Sequence, residues 1–246
     1  MTRHDFPIAG DPSDIHEAYV EGKIDQYAEV GRQLLVEARS SADAHRLDDS
    51  EGAARRALQQ LARSLDWAED SDREDERHRE LDAAGKYVRE TYGCVLPFED
   101  GQYFRTCPVD LAHTRVGLSV GGTAKRICSL CGEDVSECPH LPNKAYLVPG
   151  GSSDLGWCRV CLERGPCDHD PGHEYRTDVV SIITEMQVDE VSIVGKPSHP
   201  EARLTRVSVS TRDLSEALGE TFSPGIAISC DICLRPCNGL VKRHSG

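Results

Sequence analysis

Two short segments of the sequence each carry three cysteines and one histidine at nearly the same spacing. They are Cys128-x2-Cys131-x6-Cys138-x-His140 and Cys158-x2-Cys161-x5-Cys167-x-His169. A Cys-x2-Cys turn places two sulfur atoms on one tight loop, and the following Cys-x-His returns two further donors. Because three thiolates and one imidazole complete a tetrahedral zinc shell, the spacing predicts structural zinc sites in loops 128–140 and 158–169.

The two loops also form an internal repeat of about 30 residues. Each is followed by a tyrosine, Tyr146 in the first copy and Tyr175 in the second, and then by a pair of hydrophobic residues. In the second loop either His169 or His173 could be the ligand. The Cys-x-His spacing of the first loop favours His169.

A third group, Cys230-x2-Cys233-x3-Cys237, has three sulfurs and no adjacent fourth donor. We predict a third Zn²⁺ site here, completed by Cys107, with Cys94 as the alternative, since thiolate binds zinc tightly. His113 remains open as a further ligand of this group. Such a site would clamp the C-terminal segment to the middle of the chain.

Disulfides and iron–sulfur clusters are the competing explanations for these cysteines. The cysteine count is odd, at 11, and residues 1–14 contain no apolar run of the kind found in secretory signals. We therefore expect a cytoplasmic chain with free thiols, in which Cys-x2-Cys indicates metal binding. Imidazole in both complete clusters suits zinc better than an iron–sulfur centre held by four thiolates.

Net charge and hydropathy limit the classes of partner. The formal net charge of -14 matches nucleic acid poorly, because phosphate contacts dominate that affinity. No stretch approaches the roughly 20 apolar residues needed to cross a bilayer. We therefore expect a protein partner and no membrane, and the sequence does not indicate an oligomeric state. The predicted recognition surface consists of residues between the zinc ligands, namely Glu133, Asp134, Arg159 and Arg164.

The predicted fold class is α+β, with a helical module over 13–93 and a zinc-stapled, mainly antiparallel β domain over 94–246. Apolar residues recur at helical spacing over 15–38, 54–65 and 81–88. Three β-branched runs at 179–183, 188–194 and 204–209 predict strands. The glycine-rich run Gly117–Thr123 is interpreted as a turn leading to Cys128, and residues 213–218 as a short helix ending at Gly219. The acidic segment 66–82 is interpreted as an exposed, charged helix or a site for a basic partner.

The run Ile127–His140 resembles Cys-Ser-x-Cys-Gly…Cys-x-His zinc loops of phage-derived and prophage-encoded proteins. The later run Val188–Arg203 is similar to a strand and turn found in phage head-maturation proteins. The two runs cover about a third of the chain. The resemblance implies a phage-related assembly role, and it also raises the possibility of a serine protease.

Head-maturation proteases use a histidine and a serine, and His113 and Ser119 lie close together in this sequence. In that family the interval from histidine to serine is longer, which departs from the pattern here. The sequence thus favours a non-enzymatic zinc-binding scaffold or adaptor for protein assembly. The alternatives are a nucleic-acid-binding zinc protein and a hydrolase using His113 and Ser119.

Overall fold

The computed structural model describes residues 12–141, 144–237 and 239–240. The described helices are α1 (Pro12–Asp43), α2 (Leu47–Trp67), α3 (Glu74–Tyr92), α4 (Pro108–Thr114) and α5 (Thr211–Leu218), with single 3-10 turns at Gly219–Thr221 and Ile232–Leu234. The described strands are β1 (Phe98–Glu99), β2 (Gln102–Arg105), β3 (Gly117–Cys128), β4 (Ala145–Pro149), β5 (Glu174–Asp178), β6 (Ser181–Val194) and β7 (Val207–Val209). Helices and antiparallel sheets together confirm the predicted α+β class. None of the helices in these ranges combines the length and the apolar character needed to cross a membrane.

Contacts divide the chain into two units. The helical unit comprises Val20–Ser119 and the chain from Ser192 onward, and the loop unit comprises Val120–Val191 and the start of α1 up to Tyr19. The sequence-based boundary between residues 93 and 94 falls inside the helical unit. That unit therefore also contains β1, β2, α4, β7 and α5.

The helical unit is built around α2 and α3, with α1 packed beside them. Leucine, alanine and valine side chains that recur every three or four residues on one face of each helix form its core, which includes Leu58, Leu61, Leu65, Leu81 and Val88. Small residues allow close approach between helices: a Cβ added at Gly31 would lie 2.8 Å from the Leu61 side chain. The predicted helices are confirmed, and each is longer than its apolar pattern, because charged residues continue both ends.

Much of the acidic segment 66–82 is engaged within the helical unit. The Arg115 guanidinium lies 2.5 Å from Glu74, and the Arg203 guanidinium contacts Glu69 and lies 3.6 Å from Asp66. Glu74 is buried. These carboxylates therefore neutralise arginines of their own chain, and the expectation of a wholly exposed helix does not hold for them.

A three-stranded antiparallel sheet of order β1-β2-β7 completes the helical unit. Tyr103 on β2 is fully buried, and its hydroxyl donates to the Ile226 carbonyl at 2.8 Å and accepts from the Gly225 amide at 2.9 Å. Tyr103 therefore fastens the C-terminal part of the chain to this sheet.

Strands β3 and β6 pair as a two-stranded ribbon. The run Gly117–Thr123 lies in β3 and is not the predicted turn. Residues 181–183 of the first predicted strand and all of the second, 188–194, prove to be parts of one strand, since residues 184–187 contain no glycine, proline or asparagine to turn the chain. Glycine fits here because the partner strand is close: a Cβ at Gly122 would clash with the Gln187 carbonyl oxygen.

Candidate metal centres

The four donor atoms of the first predicted zinc loop lie within 4.8 Å of one another. The Sγ atoms of Cys131 and Cys138 are 3.4 Å apart, and His140 Nδ1 lies 3.3 Å from Cys138 Sγ and 3.7 Å from Cys128 Sγ. Tetrahedral zinc with bonds of about 2.0–2.3 Å gives edges of roughly 3.6–3.8 Å. The cluster could therefore hold a metal ion with little rearrangement.

The second loop brings Cys158, Cys161, Cys167 and His169 together in the same way, with all donor atoms within 4.8 Å. His169 Nδ1 is buried and has no hydrogen-bond partner. A buried polar nitrogen without a partner is costly, whereas a metal ion would use its lone pair. This second cluster could also hold a metal ion, and His173 lies outside the group of donors.

The predicted repeat is confirmed in the backbone of the two loops. In the first loop the Cys128 amide donates to Glu133 O at 2.8 Å, and the equivalent Cys158 amide donates to Glu163 O at 2.9 Å. Each chain reverses through a residue with positive φ, Gly132 at 73° and Leu162 at 62°. Each loop thus forms the same hydrogen-bonded turn around its Cys-x2-Cys pair.

The two tyrosines of the repeat perform equivalent tasks. The Tyr146 hydroxyl accepts from the Leu141 amide at 3.0 Å, and the Tyr175 hydroxyl accepts from the Asp170 amide at 3.0 Å. Each ring also meets the ligand histidine of its own loop edge to face, with centroids 5.2 Å apart in the first copy and 4.9 Å in the second. The tyrosine therefore supports the imidazole from outside the donor set.

The strands that follow the loops join the two copies. β4 and β5 pair antiparallel, with Tyr146 opposite Thr177 and Val148 opposite Tyr175. Equivalent residues of the two copies are 29 positions apart here, so Tyr146 corresponds to Tyr175 and Val148 corresponds to Thr177. Exchanging the two copies therefore turns one of these pairs into the other, and the β4–β5 pair has a local twofold axis.

Side chains of the second loop bind the first. Trp157 Nε1 donates to Ser129 O at 3.0 Å, and Arg159 Nε donates to Leu130 O at 2.7 Å. Arg159 is buried and also pairs with Asp154, so it is a structural residue and does not belong to the predicted recognition surface. The sequence placed Arg159 at the surface because its hydrogen-bond partner, the Leu130 carbonyl, belongs to the other loop and leaves no local pattern.

Three other predicted recognition residues, Glu133, Asp134 and Arg164, are exposed. Asp134 accepts hydrogen bonds from the Ser136 amide at 2.8 Å and hydroxyl at 2.6 Å. These contacts stabilise a turn within the loop. The outer surface of the loops therefore remains accessible at Glu133 and Arg164.

Few apolar side chains support the loop unit. Its cluster of buried residues contains Cys128, Leu130, Tyr146, Val148 and Val179. Burial raises the pKa of the Cys138 thiol to about 12, and a bound cation would favour its thiolate form. All eleven cysteines are free thiols, as the sequence predicts.

The cysteines of the predicted third site are divided between two places in the helical unit. Cys107, Cys230 and Cys233, together with Cys94, line a cavity of about 560 Å³. The Cys230 amide donates to Cys94 O at 2.9 Å, which aligns these two segments. A hydrogen bond from Cys233 lowers the pKa of Cys107 to about 6. The cavity wall therefore presents four thiols, but among the described residues they do not form a group of donor atoms within 4.8 Å of one another, so the structure does not bring the predicted third site together.

Cys237 lies instead beside His78 and His113, so it does not share the site of Cys230 and Cys233. This arrangement also bears on the hydrolase hypothesis. His113 Nδ1 donates to Val109 O at 2.7 Å, and its Nε2 faces His78 and Cys237. Both nitrogens are therefore occupied, which argues against His113 as the base for Ser119. Sequence reasoning missed His78, whose burial in α3 gives no local motif.

Comparison of the chain with protein-family models, curated proteins and solved structures finds no match. The candidate sites therefore rest on the geometry described above, and the resemblance to phage-derived proteins stays a prediction.

Proposed function

We propose that this chain is a non-enzymatic, zinc-stapled scaffold that presents the β3–β6 ribbon to a protein partner. The observation that supports this function is the exposed apolar surface of the ribbon. Five of its side chains in the loop unit are between 48% and 59% exposed, namely Val120, Ile183, Met186, Val188 and Val191. Alternate strand residues face opposite sides, so Met186 and Val188 expose one face of β6 and Ile183 and Val191 the other. Apolar side chains exposed on both faces favour a partner that covers the ribbon.

The edges of the ribbon support the same proposal. Within the described ranges no third strand joins β3 or β6. An isolated pair of strands is marginally stable, and its open backbone groups can accept another strand. A partner that adds a β-strand would pair these groups while covering the apolar side chains.

Charge favours a different protein over a second copy of this chain. β6 carries Glu185, Asp189 and Glu190, and only Glu185 has a basic neighbour on the ribbon, Lys125 at 2.7 Å. Self-pairing of β6 would bring acidic side chains together in a chain with a net charge of -14. We therefore infer that the partner contributes an apolar strand flanked by lysine or arginine.

Zinc is the ion that we assign to the two loop clusters. Three thiolates and one imidazole are a donor set that zinc prefers, and each set closes a four-coordinate shell without an open position. The third zinc that the sequence predicts at Cys107, Cys230 and Cys233 stays a prediction, because these thiols line one cavity but do not form a group of donors within 4.8 Å of one another. Bound zinc would supply structure to the base of the ribbon and would take no part in chemistry.

A random-peptide display library tests the proposed function. Selection on the zinc-loaded protein is expected to enrich alternating apolar peptides with basic flanks, and Val188→Asp should abolish their binding. Leu141→Asp is the matched control, since Leu141 and Val188 are both 52% exposed. Peptide binding that survives Val188→Asp would contradict the ribbon as the docking surface.

Two further measurements on the same proteins test whether a second copy of the chain or a nucleic acid binds the ribbon instead. Light scattering that shows a dimer, lost in Val188→Asp, would replace the foreign partner by a second copy. Binding of single- or double-stranded nucleic acid at low salt, weakening steeply as salt rises, would support the nucleic-acid alternative instead. A resemblance to head-maturation proteins would place the partner in a phage-derived assembly.

A further inference from the structure

Three donor atoms from three separate segments meet at one point in the helical unit. His78 comes from α3, His113 from α4, and Cys237 from the segment that follows the Ile232–Leu234 turn. The Nε2 atoms of the two histidines are 3.1 Å apart, and Cys237 Sγ lies 3.1 Å from His113 Nε2 and 3.5 Å from His78 Nε2. The three atoms therefore form a nearly equilateral triangle.

A backbone carbonyl fixes the tautomer of His113. Its Nδ1 lies 2.7 Å from Val109 O, and a carbonyl oxygen can only accept a hydrogen bond. The proton of the neutral ring therefore sits on Nδ1, and the Nε2 lone pair points toward His78 and Cys237. This is the arrangement in which a metal-binding histidine is held by a second hydrogen bond.

Hydrogen bonding alone does not account for the triangle. His113 Nε2 has one lone pair, which can accept one in-line hydrogen bond, from His78 or from Cys237. The structure nevertheless brings both groups to 3.1 Å from that atom. A cation between the three atoms would use every lone pair at once.

The size of the triangle matches a zinc-class ion. A circle through the three donor atoms has a radius of about 1.9 Å, slightly shorter than zinc–nitrogen and zinc–sulfur bonds of about 2.0–2.3 Å. An ion at bonding distance would therefore stand slightly out of the plane of its ligands. In a tetrahedral site the ion is displaced in this way from the plane of three ligands toward the fourth ligand.

We propose that His78, His113 and Cys237 form a further binding site for a zinc-class divalent ion, with the fourth coordination position open to water or a small anion. Among the described residues only these three have donor atoms in the group, and Cys237 is exposed. Imidazole and thiolate together select zinc over calcium or magnesium. The site differs from the loop clusters, which each have four protein ligands, and it does not depend on the proposed ribbon partner.

Bound metal would also attach the C-terminal segment to two helices. Arg89 already holds the start of that segment, donating to Cys230 O at 2.8 Å. Cys237 follows seven residues later, and its bond to the ion would fix the other end beside His78. The ion would therefore attach this segment to the helical unit at a second point, in addition to the hydrogen bond from Arg89.

Native mass spectrometry of the zinc-loaded full chain tests the site directly. Cys237→Ala is expected to bind one ion fewer per chain than wild type, and His173→Ala, which removes an exposed histidine outside every cluster, should keep the wild-type count. An unchanged count in Cys237→Ala would overturn the proposal. Since Cys237 is exposed, its truncation leaves the packed core intact.

A replacement ligand separates metal loss from misfolding. Cys237→His should restore the wild-type count, because a site of three histidines also binds zinc. His113→Gln should lose one ion, as Cys237→Ala does. If Cys237→His fails to restore the count, or if His113→Gln keeps the wild-type count, while the variants remain folded by circular dichroism, the donor assignment is contradicted.

Cobalt substitution tests the open position. Azide titrated into the Co²⁺-loaded wild type is expected to shift the d–d absorption bands, and the same titration of Cys237→Ala should leave the remaining bands unchanged. If azide leaves the wild-type bands unchanged, a fourth protein ligand closes the shell, and the open position is contradicted.

Discussion

The helical unit and the loop unit are stabilised in different ways. The helical unit buries a connected set of leucine, alanine and valine side chains between α1, α2 and α3. The loop unit buries five residues in its cluster, and one of them, Cys128, belongs to a group of donors that could hold a metal ion. The comparison predicts that the chain relies on apolar burial in one region and on metal coordination in the other.

Magnitudes explain why the loop unit can fold with so little apolar burial. Full burial of one large aliphatic side chain contributes about 1.5–3 kcal/mol. A structural zinc site in a small peptide contributes an apparent 10–16 kcal/mol or so at neutral pH. One ion can therefore replace several buried leucines, and the loops need only hold their donors together.

Removing one loop ligand should have the largest effect. Cys158→Ser is expected to lose one metal ion and most of the roughly 10 kcal/mol or more that its coordination supplies. Amide signals of residues 120–191 should collapse toward random-coil shifts in ¹H–¹⁵N spectra, while those of α2 and α3 stay in place. Arg164→Ala, an exposed change in the same loop, should leave both sets unchanged; dispersed loop signals in Cys158→Ser would contradict the comparison.

The reciprocal change removes a core leucine from the helical unit. Leu61 is 1% exposed, and Leu61→Ala should destabilise this unit by about 2–5 kcal/mol through lost burial and the remaining cavity. Chemical denaturation followed by helical ellipticity measures the loss. The two loop clusters should still bind their ions, so a fall in metal stoichiometry at these clusters would show that the units do not differ as described.

Close packing of α3 gives a third test. A Cβ at Gly85 would lie 2.6 Å from Val109 Cγ2 and 3.0 Å from Cys233 Sγ, so Gly85→Ala should destabilise the helical unit despite the better helix propensity of alanine. Gly22→Ala is the control, because nothing lies within 4 Å of its added methyl group. We expect this control to gain up to about 1 kcal/mol. Equal melting temperatures for the two variants would contradict the packing argument.

The local twofold of the loop unit predicts matched effects from two tyrosines. Tyr146→Phe and Tyr175→Phe each remove the acceptor of one backbone amide and should each cost about 1 kcal/mol. The measurement is the rate of metal transfer to a colorimetric chelator, which should rise in both variants by a similar factor. A large effect in one copy with none in the other would show that the repeat is not equivalent in energy.

A buried carboxyl of the helical unit gives a prediction that depends on pH. Burial raises the pKa of Asp66 to about 7, although Arg203 and Arg115 act in the opposite direction. Its folded pKa exceeds the unfolded value of about 3.9, so the stabilisation is complete at low pH and is lost as the pH rises through about 7. Asp66→Asn should therefore melt above wild type at pH about 8, and the difference should shrink as the pH falls and vanish below about pH 4, where the carboxyl is protonated in both states.

Asp72→Asn supplies the control for that experiment, because it removes a carboxylate of the same acidic segment from an exposed position. If Asp66→Asn melts below wild type at the higher pH, the ion pair with Arg203 outweighs burial.

Local patterns in the sequence predicted the parts of the structure that local interactions determine. Helical periodicity predicted α1 to α3, and the Ser210–Gly219 segment confirms the predicted short helix, with the Ser210 hydroxyl accepting from the Asp213 amide. Cys-x2-Cys and Cys-x-His spacing predicted which donors each loop brings together. Each of these features depends on residues that lie close together in the sequence.

Long-range placement was not predictable from spacing. The sequence grouped Cys237 with Cys230 and Cys233, yet the segment runs along α3 and brings Cys237 to His78, 159 positions away. Likewise, the two β-branched runs of β6 gave no sign that they form one strand, because no turn residue marks a continuous ribbon. Arg159 was expected at the surface because its partner, Leu130 O, belongs to the other loop.

Hydrogen–deuterium exchange of the full chain, before and after removal of metal by a chelator, tests the central comparison most directly. We predict that peptides from residues 120–191 lose their protection once metal is removed, while peptides from α2 and the first part of α3 keep theirs. Protection that persists throughout 120–191 without metal would contradict the account, as would simultaneous loss of protection in both units.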